Sequence, residues 1–187
     1  MSTAAERVDT QAYNVDPVHS EVGFKVRHLG FSTVTGEFES FEGRFHLDPD
    51  DLTTLDGSAE IDAGSITTGD EERDGHLKSD DFLAVETHPT ITFESTGVTN
   101  VEEDSFTLAG ELTIRGTTRS VELEGEYLGE AQDPWGGTRA ALELKGTIDR
   151  TEYGLTWNQA LETGGWLVGE EVTLQLTVQG VVETEDE

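Results

Sequence analysis

Apolar and polar residues alternate through most of this chain. Near its end Val172, Leu174, Leu176 and Val178 take turns with Thr173, Gln175, Thr177 and Gln179. A period of two marks a strand with one buried face. Val22, Phe24 and Val26 alternate in the same way with Glu21, Gly23, Lys25 and Arg27. Leu108, Leu112 and Ile114 share a parity, as do Val121, Leu123 and Tyr127, and again Leu142, Leu144 and Ile148. Ile91 and Phe93 open a further strand after Pro89, and Ala59 and Ile61 sit in a weaker one. Between Val34 and Leu47 the parity changes: Val34, Gly36 and Phe38 are even, whereas Phe41, Gly43, Phe45 and Leu47 are odd. Both halves face the same side only if the register slips near Ser40. A β-bulge does this, and bends the strand as a barrel corner requires.

Turn chemistry separates these runs. Asp48-Pro49-Asp50-Asp51, Arg115-Gly116-Thr117 and Asp133-Pro134-Trp135-Gly136-Gly137 each break the alternation. One helix is predicted over 68–77, with Thr68 as its cap, Asp70 in its first turn and Glu71 three residues on. A second helical turn is predicted over 152–155. Many antiparallel strands with little helix mean an all-β barrel or sandwich. Hairpin repeats and the bulge favour a barrel of about eight strands, with one or two short helices. Glycines fall at inward positions: Gly36, Gly43, Gly110, Gly125 and Gly146. They allow sharp curvature, or room for an internal ligand.

No linker interrupts this pattern. Residues 1–10 read as a flexible leader, 11–182 as one barrel domain and 183–187 as an acidic tail. Length suits one domain, since a chain of 187 residues can bury a sizeable core without staples.

Charge changes the picture in one respect. There are 40 Asp and Glu against 11 Lys and Arg, a formal net charge of −29. In a folded domain this is an acidic coat, which concentrated salt screens. The expectation is a protein of a high-salt cell. The coat also disfavours nucleic acid, which needs a local positive surface. No stretch reaches the length of an integral membrane segment. Residues 1–8 lack a long apolar run, so no secretory signal is read and a cytoplasmic location is expected.

Candidate chemistry is sparse. Without cysteine, thiolate catalysis and disulfides fall away. The five histidines (His19, His28, His46, His76 and His88) form no metal-binding pair. Asp16, His19 and Ser20 are too close in sequence to support a triad reading. No catalytic residue, metal or required cofactor is expected. The aromatic residues make either a filled core or the lining of a greasy pocket; inwardness alone does not separate the two.

Several segments together resemble the YceI-like family of polyisoprenoid-binding proteins. They are 13–20 (YNVDPVHS) with 22–29 (VGFKVRHL), 73–82 (RDGHLKSDDF) with 89–93 (PTITF), 110–119 (GELTIRGTTR), and Ile148-Asp149-Arg150 with Tyr153-Gly154-Leu155 and Trp157. The resemblance implies an extended, lipocalin-like antiparallel barrel of eight strands that holds an apolar, lipid-like ligand. That ligand would be an isoprenoid or quinone-like lipid, in a carrier or storage role, and the family also implies homodimers. The competing reading is a structural or stress-related protein whose barrel is filled. Expected lining residues are Phe24, Val26, Phe38, Phe45, Ile61, Phe93, Leu112, Leu123, Leu144, Trp157 and Leu174, with His28 and His76 as polar contacts. Arg73 with Asp74 is expected to form an ion pair holding the helix, and Arg115 and Arg119 to balance nearby carboxylates.

Overall fold

The computed structural model describes residues 9–184. The proposed leader and acidic tail lie largely outside them. Eight strands close a barrel: β1 (Gln11–Val15), β4 (Phe41–Asp48), β5 (Asp51–Asp62), β7 (Thr90–Glu102), β8 (Ser105–Ile114), β9 (Thr117–Gln132), β10 (Thr138–Asp149) and β11 (Val168–Val182). Antiparallel pairs follow that order, and β1 with β11 completes the ring. A second set, β2 (Glu21–His28), β3 (Ser32–Phe38) and β6 (Ile66–Thr67), extends from β11.

The two sets share one wall. Along β11, β1 takes the rungs at Gly180 to Val182, and β2 those at Val168 and Val172 to Thr177. β2 therefore prolongs the line of β1. In the same way β3, paired with β2, prolongs the line of β4, paired with β1. The parity slip near Ser40 is this junction between two strands, not the β-bulge expected within one: β3 stops at Phe38 and β4 starts at Phe41. Strand β1 itself was not among the predicted strands.

The β8–β9 turn has Arg115 and Gly116 at positive φ (48° and 73°), the tight reversal that glycine permits. Helix α1 (Glu71–Lys78) starts later than predicted. Its cap is Asp70, whose carboxylate accepts from the Arg73 N–H. Thr68 is instead grasped from both sides. Its N–H and hydroxyl donate to Asp74 Oδ1 (2.8 and 2.6 Å), while Arg73 donates to its Oγ1 and O (2.7 and 2.9 Å). Arg73 and Asp74 hold the helix through Thr68, not through each other. The second helical turn is a 3-10 turn over Arg150–Tyr153.

Two apolar clusters fill the ends. One gathers Tyr13, Phe45, Leu47, Phe106, Leu142 and neighbours. The other gathers Ile61, Ile66, Leu83, Ile91, Ile148 and Tyr153 beneath α1 and the segment after it. Tyr13 is fully buried, stacks on Phe45 with centroids 4.8 Å apart, and donates to Glu130 Oε2 at 2.6 Å. Burial and the Glu130 carboxylate both push its phenol pKa well above the ordinary value.

Candidate functional site

The barrel is hollow between these ends. A cavity of about 250 Å³ has walls made almost entirely of carbon, and both clusters contribute to it. An apolar cavity of about 150 Å³ already stays dry and accepts a benzene-sized molecule. A surface hollow of about 260 Å³ beside Glu130, Asp133 and Arg139 is more open and has mixed polar and apolar walls.

The alternation of the strands places the lining. Phe24 and Val26 from β2, Phe38 from β3, Phe45 from β4, Ile61 from β5 and Phe93 from β7 reach the cavity. So do Leu112 from β8, Leu123 from β9, Leu144 from β10 and Leu174 from β11. Several of them, including Phe24, Phe38, Phe93 and Leu174, are only half-buried although they point inward. Their exposed area faces the empty interior.

Inward glycines explain why the centre is open. A Cβ on Gly36 would strike the Phe24 ring, with Cε1 at 2.7 Å. On Gly125 it would strike Phe106, with Cδ2 at 2.8 Å, and on Gly180 it would strike Phe45, with Cζ at 2.7 Å. Gly110 stands against the Phe93 ring in the same way. Each ring lies in the slot left by a missing side chain on a nearby strand. It is thus held along the wall and kept off the barrel axis. The glycines provide ligand room indirectly.

Three predicted site residues do not line the cavity: His28, His76 and Trp157. His28 lies at the last rung of β2, opposite Ser32 and Val168, and of these three only Val168 reaches the cavity. His76 and Trp157 stand behind the lining residue Phe82. The His76 ring meets Phe82 edge-on at 5.1 Å and Trp157 at 4.6 Å, and its Nε2 lies 2.9 Å from Asp81 Oδ2. They brace the end wall.

Arg150 is one of the lining residues that were not expected, and the charged one most deeply buried. It is 4% exposed and borders the cavity. Among the described residues its guanidinium has no carboxylate partner. It donates instead to the carbonyls of Gly169 (2.8 Å), Leu155 (2.6 Å), Trp157 (3.1 Å) and Val168 (3.4 Å), and lies 5.9 Å from the Phe82 centroid. Burial lowers its pKa from the usual arginine value. Arg115 donates likewise to Phe82 O (2.9 Å) and Gly154 O (3.3 Å), and Arg119 to Glu152 O (3.3 Å). These contacts correct the expected role of Arg115 and Arg119: they stitch main chain at the helix end. Tyr153, 1% exposed, lines the cavity with its ring, but its hydroxyl is sealed and unpaired. Burial pushes its pKa up to about 12.

The opposite end is clamped by a carboxylate network. Arg139 donates to Asp16 (2.7 Å) and Asp133 (2.9 Å), and His19 Nδ1 lies 2.9 Å from Asp16. Asp16 and His19 thus serve a structural clamp. Among the described residues no group of three or more His, Asp or Glu is placed to hold a metal ion.

Comparison with known proteins agrees with this architecture. A UPF0312 protein of Staphylococcus epidermidis is 36% identical over 168 residues, which cover 89% of this chain and 95% of that protein. The crystal structure of the Campylobacter jejuni YCEI protein superposes with a TM-score of 0.73 at 26% identity, covering 99% of this chain and all of that one. Burkholderia cenocepacia BcnA gives a TM-score of 0.76 at 21% identity, over 88% and 98% of the two chains. A polyisoprenoid binding domain from Saccharophagus degradans shares the fold at 15% identity, with a TM-score of 0.68 over 92% and 99%. The model of the YceI-like domain matches residues 13–180, so the chain belongs to the YceI-like family.

Proposed function

We propose that this protein binds a long apolar molecule inside the barrel and carries or stores it without catalysis. The carbon-walled cavity of about 250 Å³ is the observation that carries this reading. A barrel packed solid is at odds with it. We further propose an isoprenoid chain, free or attached to a quinone, as the cargo. Supporting this are the family membership and the Saccharophagus degradans domain of the same fold, described as polyisoprenoid binding. Each five-carbon isoprene unit moved from water into such a wall gains roughly 3–4 kcal/mol before ordering costs.

Mass spectrometry of organic extracts of the purified protein should reveal a prenyl lipid. Titration with a fluorescent quinone analogue should saturate at one site per barrel. A clean extract together with no uptake of the analogue overturns the proposal.

A net charge of −29 supports a salt-rich working environment, because the repulsion it creates is screened only at high ionic strength. The melting temperature should rise steeply between low and molar salt. Stability that is undiminished at low salt removes that reading.

A further inference from the structure

We propose that a break in the barrel wall is the port through which the apolar molecule enters and at which its polar end remains. The inference rests on the binding reading above. Two neighbouring lines of the wall are interrupted at the same height. On one, β1 ends at Val15 opposite Gly180, and β2 begins at Glu21 opposite Thr177. The chain between leaves the wall as a loop over 16–20, tied at its two feet. Asp16 N–H donates to Gln179 O (2.8 Å), and Gln179 N–H donates to Ser20 Oγ (2.9 Å). Val18 at its tip is 83% exposed. On the other line, β3 stops at Phe38 opposite Val22, and the β1–β4 ladder reaches down only to the rung between Asn14 and Arg44.

Between those two rungs no ladder pair joins the lines among the described residues. The cavity reaches this gap. Val15, Ser20 and Gly23 line it from one side, and Glu42, Gly43 and Arg44 from the other. The fully buried Tyr13 and Leu47 pack one end, and arginine-stitched main chain lies at the other. A continuous hydrogen-bonded ladder bars a hydrocarbon chain, because opening it exposes main-chain donors and acceptors. At the gap only side chains need to move.

The interior also dictates where a polar group stays. Arg150 turns four of its five N–H groups to main-chain carbonyls, and the Tyr153 hydroxyl is sealed from the cavity as well as from solvent. A carbonyl or hydroxyl drawn fully inside would lose its hydrogen bonds to water and gain none. At the gap it meets solvent, Ser20, Glu42 and Arg44. The ligand is thus an amphiphile with one polar end.

Because the chain has no cysteine, Glu42→Cys creates a single thiol on an exposed residue of the gap. Coupling it to a bulky polyethylene glycol maleimide after folding obstructs the port. The probe is a benzoquinone bearing a geranylgeranyl chain, followed by stopped-flow quenching of tryptophan fluorescence. Uptake and release should both slow at least tenfold while Kd moves less than threefold. The same variant capped with a methylthio group is the reference for both rates. Bulky conjugates of Thr99→Cys, in the β7–β8 hairpin, and Glu72→Cys, on the exposed side of α1, should keep native rates. Unchanged rates in the bulky Glu42→Cys conjugate relative to that reference, or slowing in the Glu72→Cys conjugate instead, overturn the port. Failure of the unconjugated native chain to bind the probe at all overturns the binding reading beneath it, a separate and recognisable result.

Discussion

Adding one methyl group at Gly36 will shrink the cavity without touching its far walls. Gly36 lies on β3 opposite Phe24, and the atoms a Cβ would meet are all side-chain atoms: the Phe24 ring, with Cε1 at 2.7 Å, and Thr68 Cγ2 at 2.9 Å. Ordinary carbon contact is about 3.6 Å, so the ring must retreat by about 1 Å. The wall stands behind it, and the only free space is the cavity it lines. In Gly36→Ala the retreat takes away room for roughly one methylene of ligand, worth about 0.8 kcal/mol. Affinity for a prenylated quinone should fall about fourfold. Overpacking should also lower stability by about 1–3 kcal/mol. Combining Gly36→Ala with Phe24→Leu removes the ring that has to move. Titrating the native chain, both single variants and the double variant closes a cycle. Its coupling should reach about 0.5 kcal/mol or more, with the double variant binding better than Gly36→Ala alone. An unchanged affinity in Gly36→Ala, or equal losses with and without the Phe24 ring, refutes the idea that glycine slots keep the rings off the axis.

Three further outcomes follow from the same contacts. Arg150→Met leaves the Gly169, Leu155 and Trp157 carbonyls without their charged donor and should cost ~3–5 kcal/mol in denaturant unfolding; a loss below ~1 kcal/mol contradicts the stitching role. Tyr153→Phe deletes an unpaired buried hydroxyl, so unfolding free energy should stay level or rise by about 1 kcal/mol; a clear loss would mean that the hydroxyl has a partner. Asp16 titrates at about 2, below its ordinary 3.8, chiefly through the Arg139 hydrogen bond and then through His19. Lowered in the folded state, it lends stability that is complete above about pH 4 and disappears as the pH falls toward 2. Asp16→Asn should flatten that limb of the stability curve, measured by unfolding from pH 7 to 2; identical slopes would rule Asp16 out.

How much of this was legible depends on what each residue signals. Alternation reveals direction, so β2, β8, β10 and β11 and ten lining residues from Phe24 to Leu174 could be read directly. The junction between β3 and β4 showed as a parity slip, because a register shift flips the side-chain face. Strand β1 did not show: it contributes five residues, of which Tyr13 alone is buried. Hollowness was also hidden. A core leucine and a lining leucine follow the same pattern, and what separates them is whether rings such as Phe24 and Phe93 fold into glycine slots. His28 shares parity with Val22 and Phe24 and ends β2 without joining the lining, although its rung partner Val168 does. Trp157 and His76 belong to segments without periodicity, so their positions behind Phe82 depend on tertiary packing. Arg150 showed only as part of the family-like segment Ile148-Asp149-Arg150; its place in the wall stayed hidden because its partners are main-chain carbonyls, which every residue carries.

The two ends of the barrel are fastened by different chemistry. Arg139 holds one end through carboxylates, which take up protons in acid; Arg115, Arg119 and Arg150 hold the other through amide oxygens, which do not. Acidification therefore unfastens the molecule asymmetrically. With Asp16 held at about 2, this happens only in strong acid, where the Asp16 loop bordering the gap loses its clamp while the helix-covered floor keeps its grip.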